Sequence, residues 1–480
     1  MDAYDAVVVG AGPNGLAAAV TLARAGLRVL VREAADTPGG GARTEPLTLP
    51  GFAHDVCSAV HPLAIGSPFF RRLPLAKHGL EWIQPPAAVA HPFDDGTAAL
   101  LERSTADMDR QVGQDAAAWR GLMDPFVSRH EQLFADALGP LKVPRHPLLL
   151  ARFGLMALQP TTWLTQRLFR ESRARALFAG MAAHATLQLG RPPSAAFGMV
   201  LGIAGHAVGW PIPRGGSGNI TRALVSYLRS LGGVVLTDAP VTSLDELPAG
   251  RVVLLDLTPR QILRLGATHL PRGYRAQLEA YQYGLGTFKV DWALDGPIPW
   301  RAPQATRAAT LHLGGTLEEI DRGRAQEWAG QPAERPYVLL VQPTLFDPSR
   351  APAGKHVGWA YCHLPNASNV DMTARVEAQV ERFAPGFRDR ILARHVMGPA
   401  DLERHNPNLI GGDISGGEAT LMQLFFRPTI RPVPYATPNP KLFVCSSSTP
   451  PGGGVHGMGG YYAARVALRR RFGPIGRDTR

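Results

Sequence analysis

The chain reads as an α/β protein: a Rossmann-type nucleotide-binding domain interleaved with an α+β domain of helices over a mixed sheet. Three observations carry that reading. A short apolar run, Ala6–Val9, breaks into Gly10-x-Gly12-x-x-Gly15 and then into a small-residue helix, Leu16–Ala25. A second apolar run, Leu27–Val31, follows and ends in Arg32 and Glu33. Near the C-terminus a strand-like run, Lys441–Ser446, leads into another glycine-rich stretch before a last helix. Apolar runs without alternation suit parallel strands buried on both faces.

Each residue of the first unit has a task. Gly10 makes the tight turn, Gly12 lets backbone approach a pyrophosphate, and Gly15 allows close helix–strand packing. Pro13 and Asn14 sit in the same turn, where the helix start offers free N–H groups and a partial positive charge. Glu33 stands where a carboxylate accepts hydrogen bonds from a ribose 2′-OH, which favours FAD or NAD over NADP. A few residues later comes Gly39-Gly40-Gly41-Ala42-Arg43-Thr44. There Gly40 and Gly41 let amides meet phosphate, and Arg43 can pair with it. An NAD domain needs no second glycine loop at that point, whereas the long FAD molecule is gripped at several. The residues therefore specify FAD.

The 480 residues suffice for two or three domains and a large core. The net charge of +11 is mostly arginine, since lysine occurs at only five positions. No aromatic-interleaved basic motif accompanies it, so nucleic acid is not an expected partner. Cys57, Cys362 and Cys445 are too far apart for a CxxC pair, and their odd number argues against a disulfide framework. Because the first strand begins almost at once, no signal peptide is expected, and the protein is expected in the cytoplasm.

Two apolar stretches need a membrane test. Ala195–Ile212 has eighteen residues without a formal charge, at the lower limit for a span. Gly198, Gly202, Gly205 and Gly209, with His206 among them, suit a buried helix approached closely by other backbone. Pro147–Leu158 carries Arg152 and is expected as a core helix; its second reading is an amphipathic helix at a membrane surface.

Residues near 70–210 look mainly helical. Arg214–Gly218 then opens a helix, Ile220–Ser230, and Val234–Leu236, Val241–Leu244 and Val252–Leu257 follow as strands. This returns the chain to the nucleotide sheet, where the Val241 backbone can meet the adenine. From 270 to 415 the pattern is strand-like and mixed, without a second strand–GxGxxG–helix unit. The segment Thr449–Gly460 feeds the last helix. Its Gly453, Gly454, Gly457 and Met458 are expected to bring that helix N-terminus to the flavin N1/O2 edge, stabilising the reduced ring.

The stretches VVVGAGPNGLAAA, PGGGARTEPLTLPGFAHDVCSAVHP, NPNLIGGDISGG and STPPGGGVHGMGGYYAA give the chain a specific resemblance. It is similar to the phytoene desaturase-like (phytoene dehydrogenase-related) branch of the FAD-dependent amine oxidase superfamily. The resemblance implies an FAD domain assembled from residues 1–72, 213–266 and 416–480. It implies a substrate domain with a helical part, 73–212, and a sheet part, 267–415. The implied reaction removes two hydrogens from an apolar small molecule, with hydride passing to flavin N5; the sequence leaves the electron acceptor open, oxygen and a quinone among the choices.

Two residues are candidates for catalysis. Lys289, in Gly286–Trp292, falls where amine-oxidase relatives carry a lysine near N5; its other reading is a surface strand lysine. His456 lies in the flavin-edge loop and can donate to ring or substrate. A flavin amine oxidase using oxygen is the alternative function, supported by Lys289 and by an aromatic cage from Tyr461 or Tyr462. His54, Asp55 and His61 are expected to fix the phosphate loop, and Cys445 to be a core residue.

Overall fold

Apolar runs without alternation become strands with no exposed face. The computed structural model describes residues 4–248 and 250–473. The chain opens with β1 (Ala6–Val9), α1 (Pro13–Arg24) and β2 (Val29–Arg32), then reaches β3 (Ala87–Pro92) and β4 (Ala98–Leu101). Helices α2 (Pro147–Ala157), α3 (Thr161–Leu168), α4 (Ala195–Ala207) and α5 (Gly218–Ser230) lead to β5 (Val234–Leu236) and β6 (Val252–Leu255). Five longer strands follow: β7 (Gly286–Leu294), β8 (Ala308–Leu313), β9 (Val338–Val341), β10 (His356–Leu364) and β11 (Ile391–Met397). The chain closes with β12 (Leu442–Val444) and α6 (Met458–Arg471).

Two sheets divide the molecule. One is five-stranded and parallel, in the order β12-β6-β1-β2-β5. Its strands come from three well-separated parts of the sequence. The other has seven strands, in the order β11-β7-β10-β9-β8-β3-β4, antiparallel except where β3 runs with β8. The mixed sheet is therefore built partly from the stretch read as helical. Its β3 and β4, AAVAHP and AALL, are alanine-rich and wholly buried. Alanine is a poor strand former and these runs lack alternation, so local pattern favoured helix. The expected strand Val241–Leu244 does not form either. Pro240 precedes it, and Ser243 accepts the Asp245 N–H to start a 3₁₀ turn at Leu244–Glu246.

Glycine decides how the helices pack. On α4 a Cβ added at Gly198 would lie 2.6 Å from the Phe178 ring, and one at Gly205 would lie 2.4 Å from Leu101. The buried His206 Nε2 accepts from Trp119 Nε1–H at 2.9 Å. This helix is core, and among the described residues no helix is long and apolar enough to cross a membrane. Helix α6 lies against α1 at still closer range. A Cβ at Gly460 would stand 1.8 Å from the Asn14 carbonyl oxygen and 2.8 Å from the Ala18 nitrogen. Backbone cannot yield as a side-chain tip can.

Gly460→Ala should therefore destabilise the protein by at least the roughly 1–3 kcal/mol typical of overpacking. Gly121, exposed on the helix Ala116–Val127, has nothing within 4 Å of the same added atom. Gly121→Ala should stabilise by about 0.5–1 kcal/mol. Urea unfolding of the two variants checks the opposite signs.

Candidate functional site

The carboxyl ends of the parallel strands open onto a cavity of about 800 Å³ that reaches the second sheet. At its narrow end the two glycine loops meet. Gly10, Gly12, Pro13 and Asn14 line one wall and Gly40 and Gly41 the other, and a Cβ at Gly40 would come within 3.1 Å of the Gly12 Cα. Gly15 lies behind them. Its added Cβ would meet the Gly10 carbonyl oxygen at 2.1 Å, and its N–H donates to Asp256 Oδ2 at 2.8 Å.

Glu33 lines the same end and is 8% exposed. Its Oε2 accepts the Ala11 N–H at 2.7 Å and its Oε1 the Ala35 N–H at 3.0 Å. Arg43 was expected to face phosphate. In this structure its Nη2 lies 3.4 Å from Glu33 Oε1, while its buried Nε has no partner. Val241 lines the far edge of this end beside Pro240 and Thr242.

Asp256 is the carboxylate that sequence reasoning passed over. It ends β6 and faces the glycine turn, and burial, followed by the charge of Glu33, pushes its carboxyl up to about 7. A signal was present: an acid closing a central parallel strand stands where such sheets bind ligands.

At the opposite end Gly453 and Gly454 line the cavity, but Gly457 and Met458 lie behind the wall. Gly457 takes a left-handed φ of 68° to cap α6, and the Met458 N–H donates to His456 Nδ1 at 3.1 Å. His456 Nε2 in turn lies 3.2 Å from the Gly452 carbonyl oxygen. Both ring nitrogens are thus committed inside the loop, and burial lowers the imidazole to about 4. His456 shapes the loop and has no free nitrogen for acid–base work. It also occupies the first free N–H of α6, so the helix end presents less to an anion than expected.

Lys289 lines no part of the cavity. It is buried on β7, its ammonium paired with Asp291 two residues along the same face. Asp291 also lies 3.5 Å from His54, and the neighbouring Asp55 pairs with Arg350 at 3.1 Å. Asp55 further accepts the Thr44 hydroxyl and the Ser217 N–H, each at 2.8 Å. His61 lies 2.8 Å from the Ser217 hydroxyl oxygen. Through His54 and Asp55 this cluster ties the loop of Gly40 and Arg43 to the second sheet, while His61 holds the start of α5. Tyr461 and Tyr462 pack on Phe69 and Tyr435 and are not cavity residues.

The aromatic wall comes instead from the mixed sheet. Trp359 and Tyr361 on β10 present rings 5.3 Å apart at 82°, facing Phe197 and Leu201 of α4 across the chamber. His184 adds a polar point, its Nε2 2.9 Å from His312 Nε2, and burial lowers it to about 3. Between this chamber and Gly453 lies Arg427, which no motif announced. It is 3% exposed, donates through Nη2 to Tyr281 Oη and the Gly416 carbonyl, and keeps Nε without a partner. No carboxylate pairs with it among the described residues.

The comparisons agree with this architecture. Residues 8–72 match the model of the NAD(P)-binding Rossmann-like domain. Pyridine nucleotide-disulfide oxidoreductase domain-containing protein 2 of Rattus norvegicus is 27% identical, over 97% of this chain and 93% of its own. Phytoene dehydrogenase of Streptomyces griseus is 28% identical, over 81% of this chain and 77% of its own. In fold, cyclohexylamine oxidase of Brevibacterium oxydans superposes with a TM-score of 0.59 at 16% identity, covering 98% of this chain and 99% of that one. The resemblance read from the motifs is met by similarity in sequence to a phytoene dehydrogenase and by a shared fold with an amine oxidase, alongside the Rossmann match at the start of the chain.

Asp256 gives a pH test. Its folded value lies above the unfolded one, so the folded state holds the extra proton and stability falls as pH rises from about 4 to about 7. Asp256→Asn keeps an acceptor for Gly15 and removes the titration. The stability difference, variant minus wild type, should grow by on the order of 2 kcal/mol between those pH values, discounted from about 1.4 kcal/mol per unit for contact with cavity water. Urea unfolding at both ends of the range checks it, and a constant difference would refute it.

Proposed function

We propose that the protein is an FAD-dependent dehydrogenase that removes two hydrogens from an apolar small molecule. The observation that carries the reading is the single cavity. It begins on a dinucleotide fingerprint with its ribose-type acid and ends in an aromatic, largely uncharged chamber. The residues fit the long cofactor. Backbone closes on backbone at Gly12 and Gly40, so main-chain groups free of side chains border that part of the cavity, and Arg43 Nε is a buried donor without an acceptor. When bound, FAD would supply a hydride acceptor at its flavin ring.

Every other part of the task falls to the chain. The start of α1 and the loops around Gly12 and Gly40 hold the pyrophosphate, with Arg43 beside them. Glu33 holds the ribose, and the Val241 backbone borders the adenine. Gly453 and Gly454, held close to Ser415 and His456, would border the flavin with main-chain groups. Arg427 keeps a fixed positive charge next to that loop, where an anion would be held. Trp359, Tyr361, Phe197 and Leu201 orient an apolar skeleton and keep water from it. An amine oxidase using oxygen remains the alternative. It draws less support, because Lys289 is bound to Asp291 and the lining carboxylates, Glu33 and Asp256, stand at the nucleotide end.

Gly12→Val should purify without flavin, since its side chain would fill the turn that borders the cavity and, starting 2.7 Å from Asp256 Oδ2, would displace the carboxylate that holds the Gly15 N–H. Full flavin content in that variant would put the cofactor elsewhere. With the holoenzyme, bleaching of the flavin without air by an apolar compound bearing a saturated C–C bond supports the dehydrogenase. Bleaching by amines with peroxide formed in air would support the oxidase.

Arg427→Met removes the charge while leaving the phosphate grip intact. A lost charge-assisted contact of about 1.5–3 kcal/mol corresponds to a two-electron potential lower by roughly 30–60 mV. Dye-equilibrated titration of both proteins reads that shift. An unchanged potential with FAD bound would take Arg427 away from the ring.

A further inference from the structure

Helix α2 is apolar on two sides and has protein on only one. Leu149, Phe153 and Ala157, spaced by four, face the core against α4 and the helix His130–Ala137. The opposite side carries Leu148, 87% exposed, and Leu155, 66% exposed. Apolar side chains are exposed on the flanking segments too: Val143 is 93% exposed before the helix, and Trp163 on α3 is 48% exposed after it. A helix apolar all round belongs in a core or in lipid, and this one lies at the surface.

Charge decides what covers it. From residue 137 to residue 170 the sequence has no aspartate or glutamate, while Lys142, Arg145, Arg152, Arg167 and Arg170 are all exposed. The acids on the adjoining helices do little to offset them. Asp136 is buried, accepts the N–H groups of Arg145 and His146 and lies 4.0 Å from Lys142, which leaves the four arginines unopposed; Glu131 pairs with Arg71, and Asp124 alone is exposed without an ion pair. A second copy of the chain seated on this face would set five cations against five. An anionic bilayer meets both demands, taking the leucines at the acyl boundary, tryptophan at the headgroup level and arginine against phosphate.

We propose that α2, its preceding loop and α3 form a docking surface for an anionic lipid membrane. Leu148, Leu155 and Val143 enter the interface while Arg145, Arg152 and Arg167 engage the headgroups. The proposal is independent of the chemistry in the cavity, although α4, on which α2 packs, also supplies Phe197 and Leu201 to the chamber wall.

The test is flotation of the full chain with vesicles of phosphatidylcholine alone and of phosphatidylcholine mixed with phosphatidylglycerol. The protein should float with the anionic vesicles, not with the neutral ones, and salt should release it. Leu148→Glu with Leu155→Glu should abolish flotation with the melting temperature unchanged, since both side chains are solvent-exposed. Arg145→Gln, Arg152→Gln and Arg167→Gln should each weaken binding roughly fivefold at low salt, the factor equivalent to about 1 kcal/mol per cation at a membrane surface. These arginine variants carry the test should the leucine pair fail to fold. Absence of flotation, flotation untouched by the substitutions, or a dimer in solution that the leucine substitutions dissolve would each overturn the proposal.

Discussion

The contact on which the nucleotide half depends is backbone against backbone. Where α6 meets α1, Gly460 presses on the Asn14 carbonyl, and Gly15 presses on that of Gly10. Neither approach leaves room for a methyl group. Together they bring the beginning of the chain and its end to one place, so that Gly10–Gly12 and Gly453–Gly454 bound the same cavity from opposite ends. Helix α1 can sit so close because half of its buried residues, Gly15, Ala17, Ala18, Ala19 and Ala23, are glycine or alanine. The small residues set the distance between the helices, and the cavity's length follows from it.

A second constraint joins the nucleotide loops to the mixed sheet. The short hairpin of Thr44–Glu45 and His54–Asp55 carries the loop of Gly40 and Arg43 on one side. On the other it meets Arg350 and Asp291, the latter also holding Lys289. Buried ion pairs of this kind recover little net stability, because desolvation consumes much of the attraction. Breaking one partner is costly, however, since it strands a charge away from water. The cluster therefore acts as a register device: it permits one placement of the phosphate loop against β7. Lysine is rare in this chain, and the single one that is fully buried serves that placement.

Much of this was legible in the sequence, for reasons that differ by residue. The first βαβ unit is local, and each glycine in it answers to a contact within a few residues, so spacing was enough. Pro147–Ala157 was legible as a helix, with burial in the core as its first reading and the surface as its second. Periodicity marks apolar sides without saying how many will find cover, and here the side of Leu148 and Leu155 finds none. The buried strands β3 and β4 were missed because alanine pairs there by burial, not propensity. Lys289 was singled out for its rarity and its strand. Its partner Asp291 is two residues away on the same face, a pairing the alternation of a strand implies and that could have been read. Arg427 carried no local signal at all. Its meaning lies in Gly416 and Tyr281, brought to it only by the fold.

Two groups compete to set the field beside Gly453 and Gly454. A helix N-terminus near a charge contributes about 0.3–1 kcal/mol when exposed and up to about 2 when partly buried. In α6 the Met458 N–H is already given to His456, so one of the free donors behind that figure is spent inside the loop. Hydrogen bonds to a charged group contribute about 1.5–3 kcal/mol. Arg427 is such a group, buried, lacking a carboxylate partner and keeping one donor unused. The guanidinium therefore outweighs the helix end. At the nucleotide loops Arg43 lies against Glu33, and burial keeps the proton on Asp256 up to about pH 7, so Glu33 and Arg43 are the charged pair there. The cavity is thus polarised along its length by single residues, and the aromatic chamber next to Arg427 is the uncharged part in which an apolar molecule would lie.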